Sequence, residues 1–266
     1  MTATLQPLHD WPARERRGLV GVFSDIDDTL TTDGVVTTDA LAALGRLRAA
    51  GLHVIAITGR PVGWSEPFAL AWPVDAIVAE NGAVALVRGP QGQLRKLYQQ
   101  DRATREANFA RMQQVLARIE REIPDAHRAR DSAGRETDIA IDHGEFTQLP
   151  PACIDAVVAL MRAEGMTASV SSIHVNGWYG AHNKLEGARW IVRELLDVDL
   201  DAKLDRWAYV GDSTNDELMF RQFAHAVGVA NIRRFLDQLA HPPRYVSTGE
   251  RGAGFAQVAD AILAAR

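Results

Sequence analysis

Short apolar runs, each closed by a polar cluster and followed by a stretch of helical spacing, constrain this chain more than any other feature. GLVGVFS (18–24), LHVIAI (52–57) and DAIVAE (75–80) read as buried strands. Between the first two, Leu41, Leu44 and Leu47 recur at helical spacing from a candidate cap at Thr38 to Gly51, and a second helical stretch follows Pro61. RWAYVG (206–211), HAVGVA (225–230) and RYVST (244–248) repeat the pattern near the end. Strands apolar on both faces and alternating with helices imply a parallel sheet covered on both sides.

The middle third differs in style. AVALVRGPQGQLRKLYQ (83–99) reads as two strands around a turn, and Phe109, Met112, Leu116, Ile119 and Ile123 form a helical stripe. ETDIAID (136–142) and TASVSSIHVN (167–176) are strand-like, with a helix near Ile154 to Arg162 between them. The expected organisation is α/β: a Rossmann-like parallel-sheet core in two parts, residues 1–83 (a tail to about residue 17) and 180–266, with an α+β cap inserted at 84–179. With 266 residues, 47% of them hydrophobic, the chain is long enough for a full core.

Charge narrows the partners. A net charge of -5 argues against a broad nucleic-acid or anionic-membrane surface and leaves small anionic ligands open. No apolar run approaches the ~20 residues of a membrane span. The single cysteine, Cys153, excludes an intramolecular disulfide, and the first residues show no signal-peptide core, so a cytoplasmic location is expected.

VFSDIDDTLTTDG (22–34) places three carboxylates within four residues directly after an apolar run. Like charges so close repel one another, so a cation belongs beside them. In open parallel sheets, ligands bind beyond the carboxyl ends of the strands. Asp25, Asp27 and Asp28 follow the first strand, Thr58, Gly59 and Arg60 the second, and Asp212, Asn215 and Asp216 the strand at 206–211, while Lys184 opens a helix after the inserted unit. Hard oxygen ligands for Mg²⁺, a hydroxyl and a fixed ammonium suit phosphoryl transfer. Asp25 is the candidate nucleophile, and Asp27 the acid that protonates the leaving alkoxide and later activates water. Asp25, Asp27 and Asp212 are the candidate metal ligands.

DIDDT, ITGR, NKLEG and GDSTND, in this order after apolar strands, resemble the four motifs of the haloacid dehalogenase superfamily of aspartate-nucleophile phosphatases. AENGA (79–83), the large insertion and GAGFAQVADAIL (252–263) are similar to its subfamily IIB, which includes Cof-like, sucrose-phosphate and mannosyl-phosphoglycerate phosphatases. The resemblance implies an aspartyl-phosphate on Asp25, a backbone carbonyl of Asp27 on Mg²⁺, phosphate held by Thr58, Gly59 and Lys184, and Asn215 and Asp216 orienting metal-bound water and Lys184. Many relatives carry Gly at the position of Asp28, and Ser or Asp at that of Asn183.

Arg60, Asn81, His174, Asn176 and Asn183 are candidate substrate contacts; His174 and Asn176 share one face of SSIHVNGWYG, which equally suits a solvated sheet face. Trp178 and Tyr179 suit either ring stacking or packing at the joint, and Arg128 and Arg130 either a second anion or the surface. The expected activity is hydrolysis of a phosphate monoester, a sugar phosphate above all. A sugar phosphomutase and a non-catalytic phosphate-binding module are the alternatives. The specific ester and the oligomeric state are not legible.

Overall fold

The computed structural model describes residues 5–266. Strands run in the order β1 (Gln6–Pro7), β2 (Gly21–Ser24), β3 (Thr31–Thr32), β4 (Val35–Val36), β5 (His53–Ile57), β6 (Ala76–Ala79), β7 (Val84–Arg88), β8 (Leu94–Tyr98), β9 (Ile139–Asp142), β10 (Thr167–Val170), β11 (His174–Trp178), β12 (Trp207–Gly211), β13 (His225–Gly228) and β14 (Tyr245–Val246). The α-helices are α1 (Ala13–Arg17), α2 (Thr38–Ala49), α3 (Val62–Ala71), α4 (Arg102–Glu122), α5 (Pro151–Ala163), α6 (Lys184–Leu196), α7 (Glu217–Gln222) and α8 (Arg251–Leu263).

One sheet has the order β1-β14-β13-β12-β2-β5-β6-β7-β8, parallel from β1 to β6 and antiparallel beyond. Alternation along each central strand feeds two cores. Val22, Val54, Ala56, Ala208 and Val210 face α2, α3 and α8, whereas Phe23, Ile55, Ile57, Trp207 and Tyr209 face α6 and α7. Both faces being covered explains why these strands read as unbroken apolar runs. The expected α/β class is borne out.

Two boundaries differ from expectation. The β7–β8 hairpin, expected in the inserted unit, pairs with β6 and extends the large sheet. An antiparallel hairpin has the same apolar pattern in either unit, and only its pairing partner decides. The expected tail to about residue 17 is also part of the core: β1 pairs with β14, and Trp11, 1% exposed, stacks on Tyr245. At the start of α2 the capping hydroxyl is that of Thr37, which accepts from Ala40 N, rather than Thr38.

The smaller sheet, β10-β11-β9, is antiparallel and carries α4 and α5 on one face. Val175 points into that core, so the neighbouring His174 and Asn176 point the other way, toward the large sheet. The chain returns to the core through 179–183, where Trp178 Nε1 donates to His182 O and the two rings stack. No helix among the described residues is long and apolar enough to cross a membrane.

Two outcomes follow from this packing. A Cβ on Gly21 would come within 2.3 Å of the Trp207 ring, so Gly21→Ala is expected to cost about 1–3 kcal/mol in urea unfolding. Burial also pushes the His182 imidazole from its ordinary 6.5 down to about 4. Between these values the unfolded chain binds the extra proton, so stability falls as pH drops from about 6.5 toward 4. His182→Phe should flatten that part of the stability–pH curve.

Candidate functional site

Asp25 follows β2, Thr58 follows β5, Glu80 and Asn81 follow β6, and Asp212 follows β12, so these side chains gather at one edge of the sheet. Lys184, the first residue of α6, is 3% exposed, and its Nζ lies 2.9 Å from Asp25 Oδ1 and 2.7 Å from Asp216 Oδ1. The helix starts there because Asn183 Oδ1 accepts from Leu185 N (2.9 Å) and Glu186 N (3.0 Å). Asn183, a candidate substrate contact, thus has its side-chain oxygen committed to the cap.

Carboxylate oxygens of Asp25, Asp212 and Asp216 lie within 4.8 Å of one another, all buried. Asp216 has its oxygens occupied: Oδ1 by Lys184 and the Tyr209 hydroxyl, Oδ2 by Asp212 N (2.9 Å) and Ser213 N (3.2 Å). It is therefore a positioning carboxylate. Asp212 is held by Asn231 Nδ2 at 3.1 Å and, more loosely, by Thr29 Oγ1 at 3.4 Å. Burial, opposed by Lys184, lifts the Asp25 carboxyl from 3.8 to about 7, and burial with Asp216 and Asp25 pushes Asp212 well up. Burial works against the Lys184 ammonium, yet Asp216 and Asp25 outweigh it and hold it charged. Three carboxylates facing one ammonium leave negative charge to be met. Asp25 and Asp212, hard oxygen donors on adjacent strands, fit a cation of Mg²⁺ type.

The Asp27 carboxylate stands apart from this cluster, against expectation. Arg60 Nε donates to both its oxygens, at 2.9 and 3.0 Å. The same guanidinium reaches Asp131 (3.2 Å) and Glu145 (2.7 Å) of the inserted unit, and His174 Nε2 lies 3.1 Å from Glu145. Burial raises Glu145, but hydrogen bonds from His174 and Arg60 prevail and hold it at about 2. Asp27, Asp28, Arg60 and Glu145 line a cavity of about 420 Å³. Asp25, 3% exposed, is not part of that lining, whereas Asp27, two residues on, is.

Thr58 is fully buried, with its Oγ1 accepting from Arg60 N at 3.0 Å. The Gly59 carbonyl accepts from Arg135 (3.1 Å) and Asn176 (3.4 Å), both of the inserted unit. Asn176 also donates to Asp138 at 3.0 Å, and Asn81 Nδ2 approaches Asp138 at 3.5 Å. His174 and Asn176, each 2% exposed, are thus bound inside the joint, not on a solvated face. Asn215 accepts from Ser213 Oγ at 3.0 Å. Arg128 is paired with Glu120, and Trp178 packs inside the smaller core.

Sequence reasoning missed Asn231, Glu80, Asp131, Arg135, Asp138 and Glu145. Asn231 lies just past β13 and obeys the same strand-end rule that picked out Asp212. Glu80, fully buried at φ +49, accepts from Val62 N, Glu136 N and Thr137, tying the start of α3 to the inserted unit. Asp28 stands at φ +53, where glycine is favoured, which accounts for the Gly of the resembling motif.

Residues 22–116 match the haloacid dehalogenase-like hydrolase family. That stretch contains DIDDT and ITGR, and the resemblance they carry is borne out; NKLEG and GDSTND lie beyond it. No curated protein matches the chain in sequence. Solved structures share the fold over nearly the whole chain. The sucrose-phosphatase from Synechocystis sp., solved with sucrose and phosphate, has 18% identity and a TM-score of 0.64, covering 92% of this chain and 98% of its own. A subclass IIB sugar phosphatase has 14% identity and a TM-score of 0.60 over 91% and 96%. The Thermoplasma acidophilum protein 0175 has 16% identity and a TM-score of 0.69 over 92% and 99%.

Removing the ammonium would strand two buried carboxylates. Lys184→Met is expected to lower unfolding free energy by about 3–5 kcal/mol at neutral pH, measured by urea denaturation; a loss below about 1 kcal/mol would show that the pair is not a fixed structural element.

Proposed function

We propose that this haloacid dehalogenase-like protein is a Mg²⁺-dependent phosphatase that hydrolyses a phosphate monoester, a sugar phosphate foremost, through an aspartyl-phosphate on Asp25. The observation that carries the reading is the Lys184 ammonium between Asp25 and Asp216 at the carboxyl edge of the sheet. Mg²⁺ held by Asp25 and Asp212, with the backbone carbonyl of Asp27, would offset the repulsion between the anionic nucleophile and the anionic ester.

The residues divide the work. An Asp25 oxygen attacks phosphorus, and the ester oxygen leaves with a proton from Asp27. Asp27 then takes a proton from water, whose oxygen attacks the phosphorus of the acyl phosphate and frees Asp25. Its place in the cavity lining, two residues from Asp25, suits a group that must reach the leaving group. Lys184 offsets charge on the phosphoryl oxygens, and Thr58 with the Gly59 turn holds them. Asp216 fixes Lys184, and Asn231 fixes Asp212. The inserted unit, bonded to the Gly59 carbonyl and to Arg60, closes the site against bulk water.

Phosphate release from a panel of sugar phosphates tests the reading. Activity is expected to require Mg²⁺, to vanish with EDTA and to return on metal addition, and Asp25→Asn should abolish it while the protein stays folded by circular dichroism. Near-normal turnover by Asp25→Asn, or full activity after metal stripping, would contradict the assignment. Isomerisation of a sugar phosphate without phosphate release would point to a mutase on the same residues.

A further inference from the structure

The cavity beside Asp27 has an unusual charge balance. Its lining includes four carboxylates, Asp27, Asp28, Asp33 and Glu145, against two guanidiniums, Arg60 and Arg251. Both cations already face carboxylates. Arg60 is shared among Asp27, Glu145 and Asp131, and it is 4% exposed. Arg251 lies 3.1 Å from Asp28 and 3.0 Å from Asp33.

Other basic side chains lie nearby. His174 is paired with Glu145, and Lys184 with Asp25 and Asp216. Arg130 lies over the Phe146 ring at 3.9 Å and lines a different cavity. Phe146 and Ile173 add apolar surface to the wall, suited to the C–H face of a sugar ring.

Glu145 is the carboxylate of this set that the inserted unit contributes, and it is held in place from behind. Asp142 Oδ1 accepts from Glu145 N at 2.9 Å and Asp142 Oδ2 from Phe146 N at 3.0 Å, pinning the loop after β9. In front, Arg60 and His174 grip its carboxylate. A second anionic group on the substrate would enter a wall of net negative charge whose two guanidiniums already face carboxylates.

We propose, resting on the phosphatase reading above, that the substrate is the monoester of a neutral or amine-bearing polyol and that Glu145 makes the site reject esters whose leaving group carries a carboxylate or second phosphate. Discrimination here is a difference of affinities enforced by a repulsive element. Uncharged hydroxyls find acceptors in the four carboxylates, and an amine gains from the surplus of negative charge.

The test compares kcat/KM for sorbitol 6-phosphate with 6-phosphogluconate, which differ by a hydroxymethyl against a carboxylate, and for glucosamine 6-phosphate with glucose 6-phosphate. The neutral ester of the first pair is expected to be favoured by about tenfold or more, a modest fraction of the Coulomb effect of like charges at close range. The amine should at least match its neutral partner, and Glu145→Gln should shrink the first gap several-fold. Equal turnover of the first pair, or a gap untouched by Glu145→Gln, would overturn the proposal. Calorimetric Kd values for the same esters on Asp25→Asn read the charge preference without chemistry. If that preference appears while no ester, p-nitrophenyl phosphate included, is hydrolysed by the unaltered protein, the phosphatase reading falls and the charge selection stands.

Discussion

A single buried ammonium anchors this site. Lys184 is held between Asp25 and Asp216, and without it the sheet edge would gather carboxylates with nothing to offset their desolvation and mutual repulsion. Asp216 is in turn fixed by Tyr209 and by two backbone amides of the turn after β12, so the position of the ammonium is set by the sheet itself. The site remains net negative after this compensation, which is the physical reason it suits a divalent cation and, through that cation, an anionic ester.

The inserted unit is joined to this edge by polar contacts. Arg60 reaches from Asp27 across to Asp131 and Glu145, Arg135 and Asn176 hold the Gly59 carbonyl, and Glu80 collects amides from both sides of the joint. The groups of this interface are ones that water can also satisfy. It therefore suits the opening and closing of the inserted unit that the proposed reaction calls for. The same contacts place Glu145 and His174 beside the group assigned to the proton transfers, so the unit that closes the site is also placed to read the substrate.

Much of the core was legible because its strands are buried on both faces, which leaves short apolar runs that few other structures produce. The strand-end rule then located Asp25, Thr58 and Asp212 without any structure. It was applied incompletely, since Asn231 follows β13 in the same way. The β7–β8 hairpin was misassigned because apolar alternation specifies a strand and not its neighbour, and β1, two residues long and including Pro7, is too short to carry a period. Glu145, Asp131 and Asp138 lie on or beside loops whose sequence has no spacing to read; the first two depend on Arg60 reaching them across the joint, and Asp138 on Arg135 and Asn176. Asp27 shows a further limit: adjacency in sequence placed it with Asp25, whereas the structure turns its carboxylate toward Arg60.

The central claim is that Asp25, compensated by Lys184, is the carboxylate that carries the phosphoryl group. Rapid acid quenching during turnover of a phosphate ester, followed by peptide mass analysis, measures this directly. The account predicts one phosphoryl group on the peptide containing Asp25, stable in acid and removed by hydroxylamine. Steady turnover with no phosphorylated peptide under any quench time, or label on a different residue, would contradict it.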